Sequence, residues 1–305
     1  MSRIQSLEGL LVLRRGEMGL MSRESRKAVL FLLPCLLVYV SLALIPLGYT
    51  IWLSIVNMWR PGETNIRFVG AENYVRILTD PMTMHTLRLT ITYTVIAIVI
   101  EIIVGLIIGA LMYESTIIKK VLTPILVIPL GIPPITVGLI WRFLLHPDFG
   151  AFTYWLRSTF GVNFNFVVNG DQAFVLTIIM DIWQWTPLVA FIVLGGLLSI
   201  PIEYVESFMV DGAGFFRRLM YLYTKMIRSN LVFAIILRFM DSFKVFDQVW
   251  MLTQGGPGVA THYVSIFLYR LGLISWNLSQ AAALSLIILI IIIAVSNVIT
   301  RIIRR

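Results

Sequence analysis

Apolar residues gather along this chain in six long runs, separated by polar stretches marked with proline and glycine. A helix that crosses a hydrocarbon core of about 30 Å needs roughly 20 mostly apolar residues. Runs of that length occupy positions 28–56, 87–112, 121–145, 174–200, 231–252 and 281–299. In the last, "LSLIILIIIIAVSNVI", only two serines and one asparagine interrupt the apolar side chains. The third carries Pro124, Pro129, Pro133 and Pro134. Each proline removes a backbone donor, so this run is expected to bend, to lie inside the bundle, or both. The pattern predicts an all-α membrane protein with six transmembrane helices.

Charge then sets the orientation. In multi-pass proteins Lys and Arg concentrate in the cytoplasmic loops. With six spans, one side holds Arg3, Arg14, Arg15, Arg23, Arg26 and Lys27, then Lys119, Lys120, Arg217, Arg218, Lys225 and Arg228, and finally Arg301, Arg304 and Arg305. The other side holds Arg60, Arg67, Arg76, Arg88, Arg157 and Arg270. Both termini are therefore expected in the cytoplasm, with residues 1–27 a cytoplasmic extension and 28–305 one six-helix transmembrane domain.

Composition agrees: 58% of residues are hydrophobic, 13% are charged and the mean hydropathy is +0.89, outside the range of soluble domains of this length. The net charge of +8 is accounted for by the loops and calls for no nucleic acid. Cys35, the single cysteine, lies in an apolar run and supports neither a disulfide nor thiol or metal chemistry. The three histidines, His85, His146 and His262, are far apart and form no paired-ligand motif, so no metal site and no catalytic residue is expected.

Polar groups inside the runs are the candidate chemistry. A charge at a helix centre costs roughly 2.5–3.5 kcal/mol on insertion scales. Such residues must pair, face water or meet partners on other helices. The fifth run holds Arg238, Asp241, Lys244 and Asp247 at intervals of three, with Trp250 beyond. The fourth holds Asp181, Trp183, Gln184 and Trp185. Aromatic faces and carboxylates or amides are what a sugar-binding surface needs. Asp181, Trp183, Gln184, Trp185, Asp241, Lys244, Asp247 and Trp250 are thus candidates for a substrate pathway, and ion pairing of a purely structural kind stays open beside that reading.

Between the fourth and fifth runs lies the loop 201–229, opening "PIEYVESFMVDGAGFFRR". Pro201 ends the preceding span, residues 203–210 fit a two-turn helix, Asp211-Gly212 breaks it, and 213–228 fit a second helix. That second helix would put Phe216, Met220 and Tyr223 near one stripe and leave Arg217, Arg218, Lys225 and Arg228 for headgroups or a partner. Apolar residues on such an elbow must bury against something.

Residues 201–213, "PIEYVESFMVDGA", resemble the coupling loop of the membrane subunits of binding-protein-dependent ATP-binding-cassette importers, the type I permease fold. That pattern opens Glu-Ala-Ala and places glycine six residues after the glutamate. Glu206, Asp211, Gly212 and Ala213 fit it; Ser207 and Phe208 replace the alanines, and Thr224-Lys225 stand where a Leu-Pro element closes the pattern. "FVGAENYVRILTDP" (68–81), "WQWTPLVAFIVLGGLLSIP" (183–201), "RFMDSFKVFDQVWMLTQGGPG" (238–258) and "SQAAALS" (279–285) resemble, in the same order, the sugar, polyol and glycerol-phosphate branch of these permeases.

The resemblance implies a multi-pass protein of a prokaryotic inner membrane that imports a carbohydrate or polyol-type solute by alternating access. It implies a second homologous permease, two ATP-binding-cassette subunits and an extracytoplasmic solute-binding protein as partners. Glu206, Ser207, Phe208, Met209, Asp211, Gly212, Ala213 and Phe215 would couple this chain to the ATPase. No phosphate-binding loop ending in Lys-Ser or Lys-Thr occurs here, so ATP and its magnesium would sit on the partner, and this chain would bind no cofactor. The rival reading is an ion-coupled secondary transporter, since intramembrane carboxylates carry protons or sodium; its usual internal repeats are missing.

Overall fold

The computed structural model describes residues 23–58 and 60–304, so the extension expected over 1–27 lies outside the described residues up to position 22. The chain divides into two compact units after Trp52. Helix α1 (Arg23–Ile55), which lies in the first unit as far as Trp52, contains Pro34 and Pro46 and exposes nearly every side chain described there.

In the second unit a two-residue antiparallel ladder, β1 (Val56–Asn57) with β2 (Arg67–Phe68), leads into α2 (Glu72–Thr79). Asn73 of α2 donates to the carbonyls of Ser54 and Val56 at 2.9 and 2.8 Å, satisfying backbone that the short ladder leaves open. Then follow α3 (Pro81–Glu114), α4 (Thr116–Gly131), α5 (Pro134–Leu144), α6 (Ala151–Phe160) and α7 (Gly170–Leu197). Side-chain caps start three of these: Asp80 accepts from Thr83 N–H, Ser115 from Ile118 N–H and Asn169 from Gln172 N–H.

After α8 (Ile202–Val210) come α9 (Phe215–Arg218), a π-helical turn Leu219–Tyr223, α10 (Thr224–Met226) and α11 (Arg228–Ser242). The chain ends with α12 (Asp247–Thr253), α13 (Val264–Tyr269), a second π-helical turn Arg270–Ile274 and α14 (Leu278–Arg304).

Among the described residues, four helices are long and apolar enough to cross a membrane: Val29–Ile55 within α1, then α3, α7 and Leu278–Arg301 within α14. The pair α4 and α5 makes a fifth if it is one span, and it turns through 99°. That bend falls at Pro133-Pro134, where the prolines of the third apolar run interrupt it.

The run 231–252, expected as one continuous span, is instead two helices. α11 stops at Ser242 and α12 starts at Asp247, with Lys244 N–H turned back on Asp241 O and Val245 N–H on Ser242 O. No proline or glycine marks this break, and beyond it α12 packs closely on α5. A Cβ at Gly138 of α5 would lie 2.2 Å from the Gln248 carbonyl oxygen of α12, so the two backbones touch there.

Without water to expel, helices in a bilayer associate through close packing, and small residues permit it. α3 and α7 follow this rule. A Cβ at Gly105 would lie 2.6 Å from Val189 Cγ1, and one at Gly109 would lie 2.6 Å from Val193 Cγ1. The same interface continues into a buried cluster of Ala110, Val193, Leu197, Val205, Leu222 and Ile227, which ties the end of α3 and α7 to the 202–227 segment.

Candidate functional site

Four helices bring their polar residues to one buried point. α3 supplies Glu101, α7 Asp181, α11 Arg238 and α12 Gln248. Arg238 Nε donates to Glu101 Oε2 at 2.7 Å and Nη2 to Glu101 Oε1 at 2.9 Å, while Nη2 also reaches Asp181 Oδ2 at 2.8 Å. Gln248 Nε2 donates to the other Asp181 oxygen at 2.8 Å. The guanidinium also lies 5.0 Å from the Trp185 ring centroid, a cation–π distance. Arg238 and Glu101 are inaccessible to solvent. A buried charge is tolerable only when paired and hydrogen-bonded, and here an Arg fork meets a carboxylate through two parallel bonds.

Beside this cluster opens a cavity of about 370 Å³. Of the residues expected along a pathway, Asp181, Trp185, Asp241, Lys244 and Asp247 line it, together with Arg238, Phe246 and Gln248. Arg238 Nη1 and Gln248 Oε1 are buried and unpartnered among the described residues. Lys244 pairs with Asp241 at 3.3 Å, in a half-exposed i,i+3 bridge. The stripe of alternating charge is thus divided: Arg238 turns to other helices, and only Asp241 and Lys244 pair along their own segment.

Three expected residues lie elsewhere. Trp183 packs edge-on against Trp141 with ring centroids 5.8 Å apart. Buried Gln184 donates to the Ile132 carbonyl at 3.1 Å, answering a backbone group beside the α4–α5 break. Trp250 stacks on Phe246 at 5.5 Å and meets Tyr269 at 4.9 Å.

The second candidate region is the elbow. α8 ends in a Schellman motif: Gly212, at φ +73°, donates its N–H to Met209 O at 3.0 Å, and Ala213 N–H reaches Phe208 O at 2.9 Å. Only a residue at ease in the left-handed region closes the helix this way. Glu206, Ser207, Met209, Asp211 and Gly212 are exposed; Phe208 and Phe215 are half-buried against the cluster beneath, and Ala213 is buried. Val210 is 87% exposed and Phe216 71%, so the elbow carries an uncovered apolar face.

Arg218, expected to be available to headgroups or a partner, is committed inward. Its Nε and Nη2 donate to Glu114 Oε1 and Oε2 at 3.0 and 2.7 Å, and its Nη1 donates to the Ala213 carbonyl at 2.6 Å. Tyr223 donates its hydroxyl to the same Glu114 carboxylate. Burial, reinforced by Glu114, holds the Tyr223 phenol well above its ordinary pKa, so it stays a donor. The expected stripe of Phe216, Met220 and Tyr223 is split, because the widened turn at Leu219–Tyr223 sends Tyr223 inward while Phe216 and Met220 stay out.

Glu101, Gln248 and Glu114 carry much of this geometry and were not singled out in the sequence. Glu101 had a signal, an acid in the middle of an apolar run; Gln248 and Glu114 had none beyond their polarity.

A family described as binding-protein-dependent transport system inner membrane component matches residues 101–305. The trehalose/maltose transport system permease protein MalF of Thermococcus litoralis is 29% identical over 251 residues, covering 81% of this chain and 84% of its own. The sn-glycerol-3-phosphate transport system permease protein UgpA of Pectobacterium atrosepticum is 26% identical over 287 residues, covering 93% and 96%. Among solved structures, a bacterial ABC transporter involved in the import of the acidic polysaccharide alginate has the same fold, with a TM-score of 0.79 at 18% identity over 92% of this chain and 96% of that one.

Proposed function

The chain belongs to the family of binding-protein-dependent transport system inner membrane components, and from that premise we propose that it is one permease subunit of an ATP-driven importer for an uncharged carbohydrate or polyol. In this reading six segments span the membrane with both termini in the cytoplasm, the α4–α5 pair and the interrupted α11–α12 stretch each serving as one of them. The subunit works beside a second homologous permease, two ATP-binding-cassette subunits and an external binding protein. ATP is hydrolysed on the partners, and alternating access moves the solute.

The observation that carries this reading is the elbow. α8 presents Glu206, Ser207, Met209 and Asp211 to the surface, with Val210 bare beside them. Docked in a cleft of an ATPase subunit, Glu206 would meet a basic group and the apolar residues would be covered. Phe208, Ala213 and Phe215 act from beneath, holding α8 on the bundle. Gly212 sets the angle at which the chain leaves it.

The cavity is the proposed stretch of pathway. Asp181, Asp241 and Asp247 outnumber the cations on its wall, and Arg238 is already engaged by Glu101 and Asp181. An excess of carboxylate supports a neutral polyhydroxylated solute over a phosphate or uronate, with Trp185 and Phe246 offering faces to sugar C–H groups. Trp183, Gln184 and Trp250 support the helix breaks and aromatic packing around it.

The test is reconstitution of the complete importer in proteoliposomes, supplied with labelled trehalose, maltose or sn-glycerol-3-phosphate. Uptake of a neutral sugar that requires enclosed ATP and the binding protein is expected. Uptake that follows an ion gradient without nucleotide would overturn the reading, and preference for the phosphate ester would overturn the solute class.

A further inference from the structure

We propose that Glu114 and Arg218 are a positioning pair that clamps the elbow to α3, so that movement imposed on α8 reaches the Glu101–Arg238 cluster through α3 as well as through α7. This rests on the reading of α8 as the docking helix.

The backbone joins the elbow to α7 at one end and to α11 at the other; it has no nearby covalent link to α3, since 104 residues separate Glu114 from Arg218. The guanidinium supplies the link. Two of its nitrogens grip the Glu114 carboxylate in a fork, and the third holds the Ala213 carbonyl, the residue after the Gly212 turn. One side chain therefore fixes the α8–α9 turn to the last residue of α3. Tyr223 adds a further bond to the same acid. Side-chain exposures of 12% for Arg218 and 18% for Glu114 keep most water from the pair, unlike the exposed surface bridges that contribute little.

Above the clamp, α3 is closely packed on α7. Gly105 and Gly109 bring the backbones so close that Val189 and Val193 fill the space any side chain would need. α3 is one unbroken helix from Pro81 to Glu114, so at 1.5 Å per residue Glu101 lies roughly 20 Å along it from Glu114. A displacement of the elbow is passed by a stiff rod to the carboxylate that grips Arg238. A hinge of packed elements with two arrangements is the usual carrier of such movement.

The alternative is an ion pair that serves folding alone, and the ratio of solute moved to ATP hydrolysed separates the two. Glu114→Gln, Arg218→Lys and the exchanged pair Glu114→Arg with Arg218→Glu are compared with wild type in the complete importer. Assembly and melting temperature of each complex are measured first, then ATP hydrolysis and uptake of the sugar that wild type carries. For Arg218→Lys, which keeps the charge and loses the fork, the complex is expected to assemble and hydrolyse ATP while uptake per ATP falls about tenfold, within the usual span of coupling between sites. The exchanged pair should recover part of that ratio. An unchanged ratio in assembled variants, or uptake and hydrolysis falling together with assembly, would overturn the clamp alone. A wild-type complex without ATP-driven uptake would overturn the proposed function and the clamp with it.

Discussion

Arg238 and Glu101 stand 137 residues apart in the chain and meet through two parallel hydrogen bonds of 2.7 and 2.9 Å, sealed from solvent between three helices. Taking two charges out of water is expensive, and removing one partner of a buried pair leaves the other uncompensated. Arg238→Met is therefore expected to destabilise the protein by about 3–5 kcal/mol. Replacing Glu101 and Asp181 by leucine in the same variant should restore much of that loss. Unfolding by sodium dodecyl sulphate titration in mixed micelles measures both; a single-variant cost under about 1 kcal/mol, the range of exposed pairs, would show that the cluster is solvated.

The Gly138–Gln248 contact leaves no room for a methyl group. Gly138→Ala would set a Cβ 2.2 Å from the Gln248 carbonyl oxygen and must push α5 from α12. Overpacking of this kind costs about 1–3 kcal/mol. Gly131→Ala, with nothing within 4 Å, should be harmless. Melting temperatures of the two variants in one detergent make the comparison.

Gly212 presents the opposite case. Its Cβ would meet no atom within 4 Å, yet its φ of +73° disfavours any L side chain by roughly 1–2 kcal/mol. Gly212→Val should insert normally but recruit or couple the ATPase poorly, because α8 would leave at a new angle. Gly214→Ala, at φ −67°, is the matched control. Equal ATPase co-purification and equal transport for both variants would remove the turn from the coupling argument.

His262 is expected to make the protein acid-sensitive. Burial, with Arg270 and His85 nearby, pushes its imidazole down to about 4 from an ordinary 6.5. The folded state thus resists the proton that the unfolded chain accepts below pH 6.5, so stability is complete above that value and is lost as the pH falls towards 4. His262→Gln should flatten this part of the pH–stability curve, read from melting temperatures between pH 4 and 7.5.

The elements legible in the sequence are those specified by neighbours along the chain. The apolar runs located α1, α3, α7 and α14, the four prolines of the third run announced a bend without choosing among Pro124, Pro129, Pro133 and Pro134, and Asp211-Gly212 located the end of α8 to within a residue of its Schellman turn. The interruption at 243–246 was illegible because no proline or glycine marks it, and the close packing of α12 on α5 at Gly138 and Gln248 joins positions 110 apart by the two residue numbers. The cluster failed for the same reason. The spacing of three left pairing along the helix and partners on other helices equally open for Arg238; its partners are Asp181 and Glu101, and nothing local encodes which distant acid a buried guanidinium will meet. Arg218 looked like a surface cation for want of any local sign of Glu114.

The π-helical turn at Leu219–Tyr223 makes the elbow sensitive to length as well as to composition. Positions five apart point about 140° from each other in an ordinary helix, so guanidinium and phenol could not both face one acid there. The surplus residue in the wider turn, where Thr224 N–H bonds to Leu219 O, brings them to the same side. Met220 and Tyr221 are exposed and can be exchanged, but deleting a single position would rotate one donor away from Glu114 and rephase everything from there to α11.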